Sequence, residues 1–122
     1  MTLPSASPAQ PTTAWAHADE RDCERTGAML EVVGQRWSAG ILLALARGAE
    51  RFSEIVAAVP GLSARMLTVR LQQLGAAQLV EREVIPTIPV SVRYHLTERG
   101  NDLMSAIEPI SGFVRRWDDP ED

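Results

Sequence analysis

Residues 62–74 read Leu-Ser-Ala-Arg-Met-Leu-Thr-Val-Arg-Leu-Gln-Gln-Leu, and this segment indicates the fold more clearly than any other. Leu67, Leu71 and Leu74 recur at helical spacing, which predicts the buried stripe of an amphipathic helix over residues 63–75. Ser63 precedes the first turn, where its hydroxyl can cap exposed backbone N–H groups. The opposite face of this helix carries Arg65, Thr68, Val69, Gln72 and Gln73.

A second, shorter apolar stripe lies just upstream and consists of Phe52, Ile55, Val56 and Val59. Pro60-Gly61 between the stripes is a turn signal, so the two segments together predict a helix-turn-helix. Arginine, amides and hydroxyls on the second helix are groups that read base edges in a major groove, which indicates a DNA-recognition helix. The alternative is an ordinary amphipathic surface helix in a protein that does not bind nucleic acid.

The length of 122 residues predicts one domain, residues 19–122, preceded by a disordered tail over residues 1–18 that is rich in Pro, Ala, Ser and Thr. No apolar run reaches the ~18–20 residues of a membrane span, and the N-terminus does not resemble a secretory signal. A single cysteine, Cys23, excludes an intrachain disulfide. These features predict a cytoplasmic protein without a membrane partner.

The net charge of −4 is unevenly distributed along the chain. All twelve basic residues are arginines, and residues 36–99 contain eight of them against five glutamates. Residues 1–35 and 100–122 are both acidic. A basic middle between acidic ends fits a core that meets phosphates, although a mixed solvated surface can produce the same pattern.

Two helices precede the helix-turn-helix, and the ordered domain is expected to begin near Cys23. The stripe Met29, Leu30 and Val33 predicts a first helix, which we expect Gly34 to end in a left-handed cap. Gly48 closes a predicted second helix, and residues 49–52 allow a brief edge strand. The apolar stripe of the second helix is Trp37, Ile41, Leu42 and Leu45.

A β-hairpin is predicted to follow the recognition helix, with strands over residues 79–85 and 90–96 and a stiff tip at residues 86–89. The second strand alternates, because Val92, Tyr94 and Leu96 share one face while Arg93 and His95 share the other. A hairpin in this position is the wing of a winged helix. The predicted fold class is therefore mainly α with a small β-hairpin.

Thr97 begins the last predicted helix, which carries more apolar surface than a small domain needs. We expect Pro109 to kink this helix. Its stripe consists of Leu103, Ile107, Ile110, Val114 and Trp117, and it is widened by Met104 and Phe113.

The order and spacing of several blocks closely resemble the HxlR-type winged helix-turn-helix transcriptional regulators. The resemblance covers about residues 23–117. It rests on Cys23, Val33-Gly34-Gln35-Arg36-Trp37, Arg51-Phe52-Ser53-Glu54-Ile55, Pro60-Gly61-Leu62-Ser63-Ala64-Arg65-Met66-Leu67-Thr68-Val69-Arg70-Leu71, Leu79-Val80-Glu81-Arg82 and Tyr94-His95-Leu96-Thr97-Glu98-Arg99-Gly100.

The resemblance implies a bacterial or archaeal homodimeric regulator that binds a palindromic operator in double-stranded DNA. In this family the first and last helices build the dimer interface, here Met29, Leu30, Val33, Leu103, Ile107, Ile110, Val114 and Trp117. The chain departs from the family pattern at Glu24, where proline is usual, at the wing tip Pro89-Val90-Ser91, and at Arg93, where an acid is common.

We expect the DNA-binding residues to be Ser63, Arg65, Met66, Thr68, Val69, Arg70, Gln72, Gln73 and Arg93. Four of these have open alternatives. Arg65 can form a surface ion pair instead of contacting DNA, and Ser63 is first a helix cap and only second a phosphate contact. Arg70 flanks the leucine stripe and can hold the fold or a phosphate instead of reading a base. Arg93 can reach phosphate or a minor groove, or it can pair across the strands with Glu81 or Glu83.

Cys23 leaves two readings open. Some family members sense oxidants or electrophiles through an early cysteine, and Arg21 and Arg25 favour reactivity while Asp22 and Glu24 oppose it. The other reading is an inert thiol near the dimer interface.

An enzyme is not predicted. With one cysteine, His17 and His95 do not make a metal site, and no phosphate loop or paired nucleophile is present. No cofactor is expected, and the sequence does not identify any small-molecule effector. The rival hypothesis is a winged-helix protein-interaction module that does not bind DNA.

Overall fold

The computed structural model describes residues 13–118, with side chains from Trp15 onward. Helices dominate this range, and one antiparallel hairpin is present, so the predicted fold class is confirmed. Within it, none of the helices combines the length and apolar character that crossing a bilayer requires. The elements are α1 (Thr13–Ala16), α2 (Glu20–Gly34), α3 (Ser38–Ala46), α4 (Phe52–Ala58), α5 (Ala64–Ala76), β1 (Val80–Ile85), β2 (Ser91–Leu96) and α6 (Glu98–Trp117).

Backbone contacts divide the chain into two parts between Glu31 and Val32. In the first part, α2 begins at Glu20, earlier than the start predicted near Cys23. Asp19 and Asp22 exchange bonds there, since each backbone N–H donates to the other's carboxylate over 2.9 and 3.2 Å. The short helix α1 falls within the segment predicted as a tail, while residues 1–12 lie outside the described residues.

The second part contains a core built from the leucine-rich stripes of the middle helices. Full burial of such a side chain stabilises the folded state by about 1.5–3 kcal/mol. The predicted stripe of α5 is confirmed, because Leu67, Leu71 and Leu74 are all buried. The other buried apolar residues are Ile41, Leu42, Ala44, Leu45, Ile55, Val59, Leu62, Leu79 and Val80.

Left-handed residues mark the turns between the helices, but not all where predicted. Gly48 (φ 109°) follows α3, as expected. The prediction for Gly34 is wrong, because Gly34 is the last residue of α2 and has no positive φ. The chain first makes a turn in which the Ser38 N–H donates to the Gln35 carbonyl, and Trp37 takes the left-handed conformation instead (φ 80°).

The hairpin pairs β1 with β2 in antiparallel register, from Val80 opposite Leu96 to Ile85 opposite Ser91. Each strand begins one residue later than predicted. For β1 the reason is that the Leu79 N–H still donates to the Leu74 carbonyl. Residues 49–52 form no strand, although the Tyr94 N–H donates to the Glu50 carbonyl over 2.7 Å.

The alternation predicted for β2 does not produce one buried and one exposed face, because every residue of the strand is half-buried. Three helices, α3, α4 and α6, contact this strand. The polar side chains of the alternating pattern also have partners: Arg93 lies near Glu50, and His95 lies near Glu83. Both faces of the strand are therefore partly covered.

Thr97 connects the start of α6 to the segment that follows α5. Its hydroxyl accepts from the Gly100 N–H over 2.9 Å and donates to the Gln78 carbonyl over 2.7 Å. Thr97 therefore caps α6, which begins at Glu98, one residue later than predicted. Gly100 lies directly against the Leu79 carbonyl, where a Cβ atom would overlap the oxygen. The helix continues through Pro109 to Trp117.

Candidate DNA-binding surface

The amino end of α5 is fixed by the turn before it and by its own cap. Gly61 takes a positive φ of 84°, a conformation that glycine adopts without the steric cost of a Cβ atom. The Ser63 hydroxyl then accepts from the Met66 N–H over 3.1 Å, as predicted. These two residues start the helix so that its leucine stripe faces the core.

The outward face of α5 is open to solvent. Arg65, Thr68, Val69, Gln72 and Gln73 are all exposed, as the sequence predicted. Among the described residues, the structure gives Arg65 and Gln72 no side-chain hydrogen bond or ion pair. These two groups are therefore available to an external partner.

Thr68 is exposed, but its hydroxyl proton is already used. The hydroxyl donates to the Ala64 carbonyl over 3.1 Å, one turn earlier in the helix. In this rotamer the oxygen can still accept a hydrogen bond, whereas it cannot donate one to a phosphate. Thr68 is thus suited to a donor on a base edge or to apolar contact through its methyl group.

Arg70 and Gln73 have intramolecular partners. The Arg70 Nε donates to the backbone carbonyl of Arg36 over 2.7 Å, and its Nη1 donates to the Gln73 Oε1 over 2.9 Å. Arg70 is half-buried, unlike Arg65. Arg70 was left open as a residue that holds the fold or binds a phosphate. Its two intramolecular bonds are those of a residue that holds the fold.

A groove of about 320 Å³ separates α5 from the hairpin. Sequence reasoning missed Arg82, which is exposed on β1 and lines this groove beside Gln72. The strand period could have identified it, because Arg82 shares a face with buried Val80. The full lining is Thr68, Leu71, Gln72, Gly75, Val80, Glu81, Arg82 and Tyr94.

Arg93 lies on the wing but does not pair across the strands. Its Nη1 is 3.7 Å from the Glu50 Oε2, so the predicted alternative of a pair with Glu81 or Glu83 is wrong. Glu83 lies opposite Arg93 in the register, yet its carboxylate meets His95 Nε2 at 3.3 Å. Arg93 is held nearer the helices because the backbone of Tyr94 bonds to Glu50.

The backbone at Glu50 also bonds to a carboxylate at the start of α4, that of Glu54. The Glu54 carboxylate accepts from the backbone N–H groups of Arg51 and Glu50, over 2.8 and 3.1 Å. These two bonds, the one from Arg51 first, lower the pKa of Glu54 below its ordinary value of 4.5. Glu54 therefore stays ionised and fixes the segment that meets the wing.

Four of the eight residues predicted to form a dimer interface are exposed, and the other four are half-buried. In α6, Ile110, Phe113, Val114 and Trp117 are 53, 51, 39 and 74% exposed. In α2, Leu30 is exposed, while Met29 and Val33 are half-buried. Leu103 and Ile107, nearer the amino end of α6, are also half-buried.

Cys23 is a free, exposed thiol in α2. Between residues 13 and 118, no three His, Cys, Asp or Glu side chains come together as a possible metal site.

Comparison with known proteins places the chain among helix-turn-helix regulators. Residues 32–122 match the model of the HxlR-like helix-turn-helix family. Over 98 residues the chain is 41% identical to the HTH-type transcriptional regulator YvaP of Bacillus subtilis (strain 168), covering 80% of this chain and 91% of YvaP. It is 34% identical over 100 residues to YodB of the same organism, covering 82% of this chain and 89% of YodB.

Solved structures agree with these matches. The reduced form of YodB superposes with a TM-score of 0.74 at 34% identity and covers 82% of this chain and 98% of that one. The redox regulator HypR in its reduced form superposes with a TM-score of 0.69 at 30% identity, covering 75% and 91%. With a matching family model, relatives above 30% identity and the same winged-helix fold, this chain belongs to the HxlR-like helix-turn-helix family of transcriptional regulators.

Proposed function

We propose that the protein binds a palindromic operator as a homodimer, with α5 of each subunit in a major groove. The observation that carries this proposal is the outward face of α5, where Arg65 and Gln72 are exposed and have no intramolecular partner within residues 13–118. Seven residues, about two helical turns, separate them, so both can lie along one groove. The length of α5, thirteen residues, suits this placement.

Different residues on this surface have different roles. Arg65 suits a bidentate contact with guanine, Gln72 suits adenine, and Val69 suits a thymine methyl group. Ser63 and Met66 lie at the amino end of α5, where phosphates approach a helix most closely.

The wing supplies the phosphate contacts in this proposal. Arg82 faces the groove between α5 and the hairpin. From there it contacts the phosphates of the DNA backbone beside the major groove. Arg93 already lies 3.7 Å from the Glu50 carboxylate, whose negative charge offsets part of its attraction for a phosphate. We therefore assign Arg82 the larger share of the salt-dependent attraction.

The exposed stripe of α6 supports dimerisation. Monomeric soluble proteins rarely leave a contiguous apolar face of this kind in water. We propose that a second copy covers it, with the apolar residues of α2, Met29, Leu30 and Val33, contributing to the same interface. Two-fold pairing presents two recognition helices, which is what a palindromic operator requires.

A second function, redox sensing, is favoured by the exposure of Cys23 together with the similarity to YodB and HypR. HypR is a redox regulator, and the YodB match is to a reduced form. We propose that oxidation of Cys23 changes operator affinity. An exposed thiol is accessible to oxidants, unlike a buried one.

The test is DNA binding itself. Duplexes enriched from a randomised library by the purified protein should converge on a two-fold symmetric sequence. Affinity for that duplex should fall steeply as salt rises from about 50 to 200 mM, because bound phosphates release counterions. A scrambled duplex of the same length is the control, and it should bind more weakly with similar salt dependence.

The rival hypothesis, a protein-interaction module, gives the opposite result. A library that shows no enrichment, with no salt-dependent binding to any duplex, would remove DNA from the proposed function.

A further inference from the structure

The recognition helix is tied to a turn far away in the sequence. Arg70 in α5 and Arg36 in the α2–α3 turn are 34 residues apart, yet the Arg70 Nε donates to the Arg36 carbonyl over 2.7 Å. The same guanidinium donates through Nη1 to Gln73 Oε1 over 2.9 Å. One planar cation therefore holds a backbone oxygen and a side-chain oxygen at once.

The turn that accepts this bond is itself unusually constrained. Trp37 takes a φ of 80°, a left-handed conformation that is costly for a bulky residue. Its ring lies against Gly61, where a Cβ atom would come within 3.2 Å of the indole. The Arg36 guanidinium covers the ring at 4.5 Å from its centroid.

These contacts form one cluster, which we call the anchor: Arg36, Trp37, Gly61, Arg70 and Gln73. Gly61 starts the connection into α5, and Arg70 lies near the middle of α5. The anchor thus holds the recognition helix at two separate points. Such a pair of contacts fixes the orientation of a helix, which one contact does not.

We propose that Arg70 and Gln73 are positioning residues that set the angle at which α5 presents Arg65 and Gln72 to DNA, and that they do not contact DNA themselves. This inference rests on the proposed DNA-binding function. The alternative for Arg70, a phosphate contact, has to use the N–H groups that are left after Nε and Nη1 bond to the Arg36 carbonyl and Gln73. Because the turn follows directly from α2, the anchor also makes the orientation of α5 depend on the α2–α3 connection.

The substitution Arg70→Lys separates the two roles. Lysine keeps the positive charge, but its single ammonium does not reproduce the planar fork that serves two acceptors. A positioning role predicts that Arg70→Lys and Arg70→Ala both lose affinity, roughly tenfold for one charged hydrogen bond, with the salt dependence of wild type. A phosphate contact predicts that lysine retains most of the affinity and that alanine lowers the salt slope by about one unit.

Arg82→Ala is the matched control, since it removes an exposed arginine that is not part of the anchor. It should lower the salt slope and thus show that the assay detects a lost phosphate contact. Gln73→Ala should weaken binding in the same slope-independent way as Arg70→Lys. Wild-type affinity for Arg70→Lys, or a reduced slope for Arg70→Ala, would overturn the proposal.

Amide hydrogen exchange gives a readout that does not need DNA. In Arg70→Lys, we expect faster exchange of the turn amides of Ser38 and Ile41, which bond to Gln35 and Trp37, while α6 stays unchanged. Unchanged exchange in the turn would overturn the anchor even if the protein binds DNA. If wild type fails to bind DNA while the turn amides respond, the proposed function fails and the structural anchor stands.

Discussion

Arg65 is one of the α5 side chains that, in the proposed complex, would distinguish one base pair from another. It is exposed near the amino end of α5, and a guanidinium there can reach two acceptors on guanine. We predict that Arg65→Ala costs about 1–3 kcal/mol per half-site and relaxes the preference at one symmetric pair of operator positions. The measurement is affinity against an operator library at several salt concentrations.

Arg82→Ala serves as the comparison for that experiment, since it should weaken all sequences by a similar factor. Both variants should remain folded, because both side chains are exposed and outside the apolar stripes. If Arg65→Ala left the sequence preference intact, α5 would not read bases through that residue.

Cys23 allows a test of redox sensing by a single side chain. We predict that mild oxidant changes the operator affinity of the wild-type protein, since the thiol is free and exposed. Cys23→Ser should keep DNA binding and lose the response. The affinity of both proteins is measured before and after oxidation and again after a thiol reductant. A response that persists in Cys23→Ser would exclude the thiol from the mechanism.

Two glycines of α6, Gly100 and Gly112, differ in the space available for a side chain. At Gly100 an added Cβ would overlap the Leu79 carbonyl, whereas at Gly112 its nearest neighbours are flexible arginine side chains at 3.6 and 3.9 Å. We predict that Gly100→Ala destabilises the fold by about 1–3 kcal/mol through overpacking. Gly112→Ala should be neutral or stabilising by up to about 1 kcal/mol through helix propensity.

Urea unfolding of the two variants beside wild type measures this difference. The pair is matched, because both changes add one methyl group to the same helix. Equal stability of the two variants would contradict the close approach of α6 to Leu79.

The start of α4 gives a prediction about pH. The pKa of Glu54 is lowered by backbone N–H bonds from Arg51 and Glu50, so the folded state favours the ionised carboxylate. That contribution to stability is fully present above the ordinary pKa of 4.5 and is lost as pH falls through the lower folded value. We therefore predict that wild type loses more stability than Glu54→Gln as pH drops from about 5 to 3.

Thermal unfolding across this pH range gives the two curves. The difference between them should narrow as pH falls and Glu54 takes up its proton. Parallel curves over the whole range would remove Glu54 from the acid sensitivity of the fold.

Helices and strands were predictable from the sequence where one hydrophobic periodicity determines them. The buried Leu67, Leu71 and Leu74 follow from helical spacing, and the cap by Ser63 follows from its place before them. The left-handed Trp37 was not predictable, because its conformation is stabilised by Gly61 and Arg36 only once the chain has folded. Long-range partners, Glu50 for Arg93 and Arg36 for Arg70, likewise leave no trace in local spacing.

At the scale of the whole molecule, the exposed stripe of α6 predicts a second subunit. Ile110→Asp with Val114→Asp should give folded monomers, because both side chains are exposed and their replacement leaves the buried core intact. Sedimentation velocity measures the association state, and circular dichroism checks the fold. Asn101→Asp with Ser105→Asp, two exposed positions of α6 outside the stripe, is the control and should stay dimeric. An intact dimer in the stripe variant would refute this interface.

The same stripe has a consequence for gene dosage. A chain that must pair before it can occupy a two-part site responds to its own copy number, because below the pairing threshold the dimer population varies with the square of the monomer level. Halving the cellular supply then leaves about a quarter of the dimers. Ile110, Phe113, Val114 and Trp117 would thus set a dose at which the regulated gene switches, and weakening their contact would move that dose without altering a single base contact.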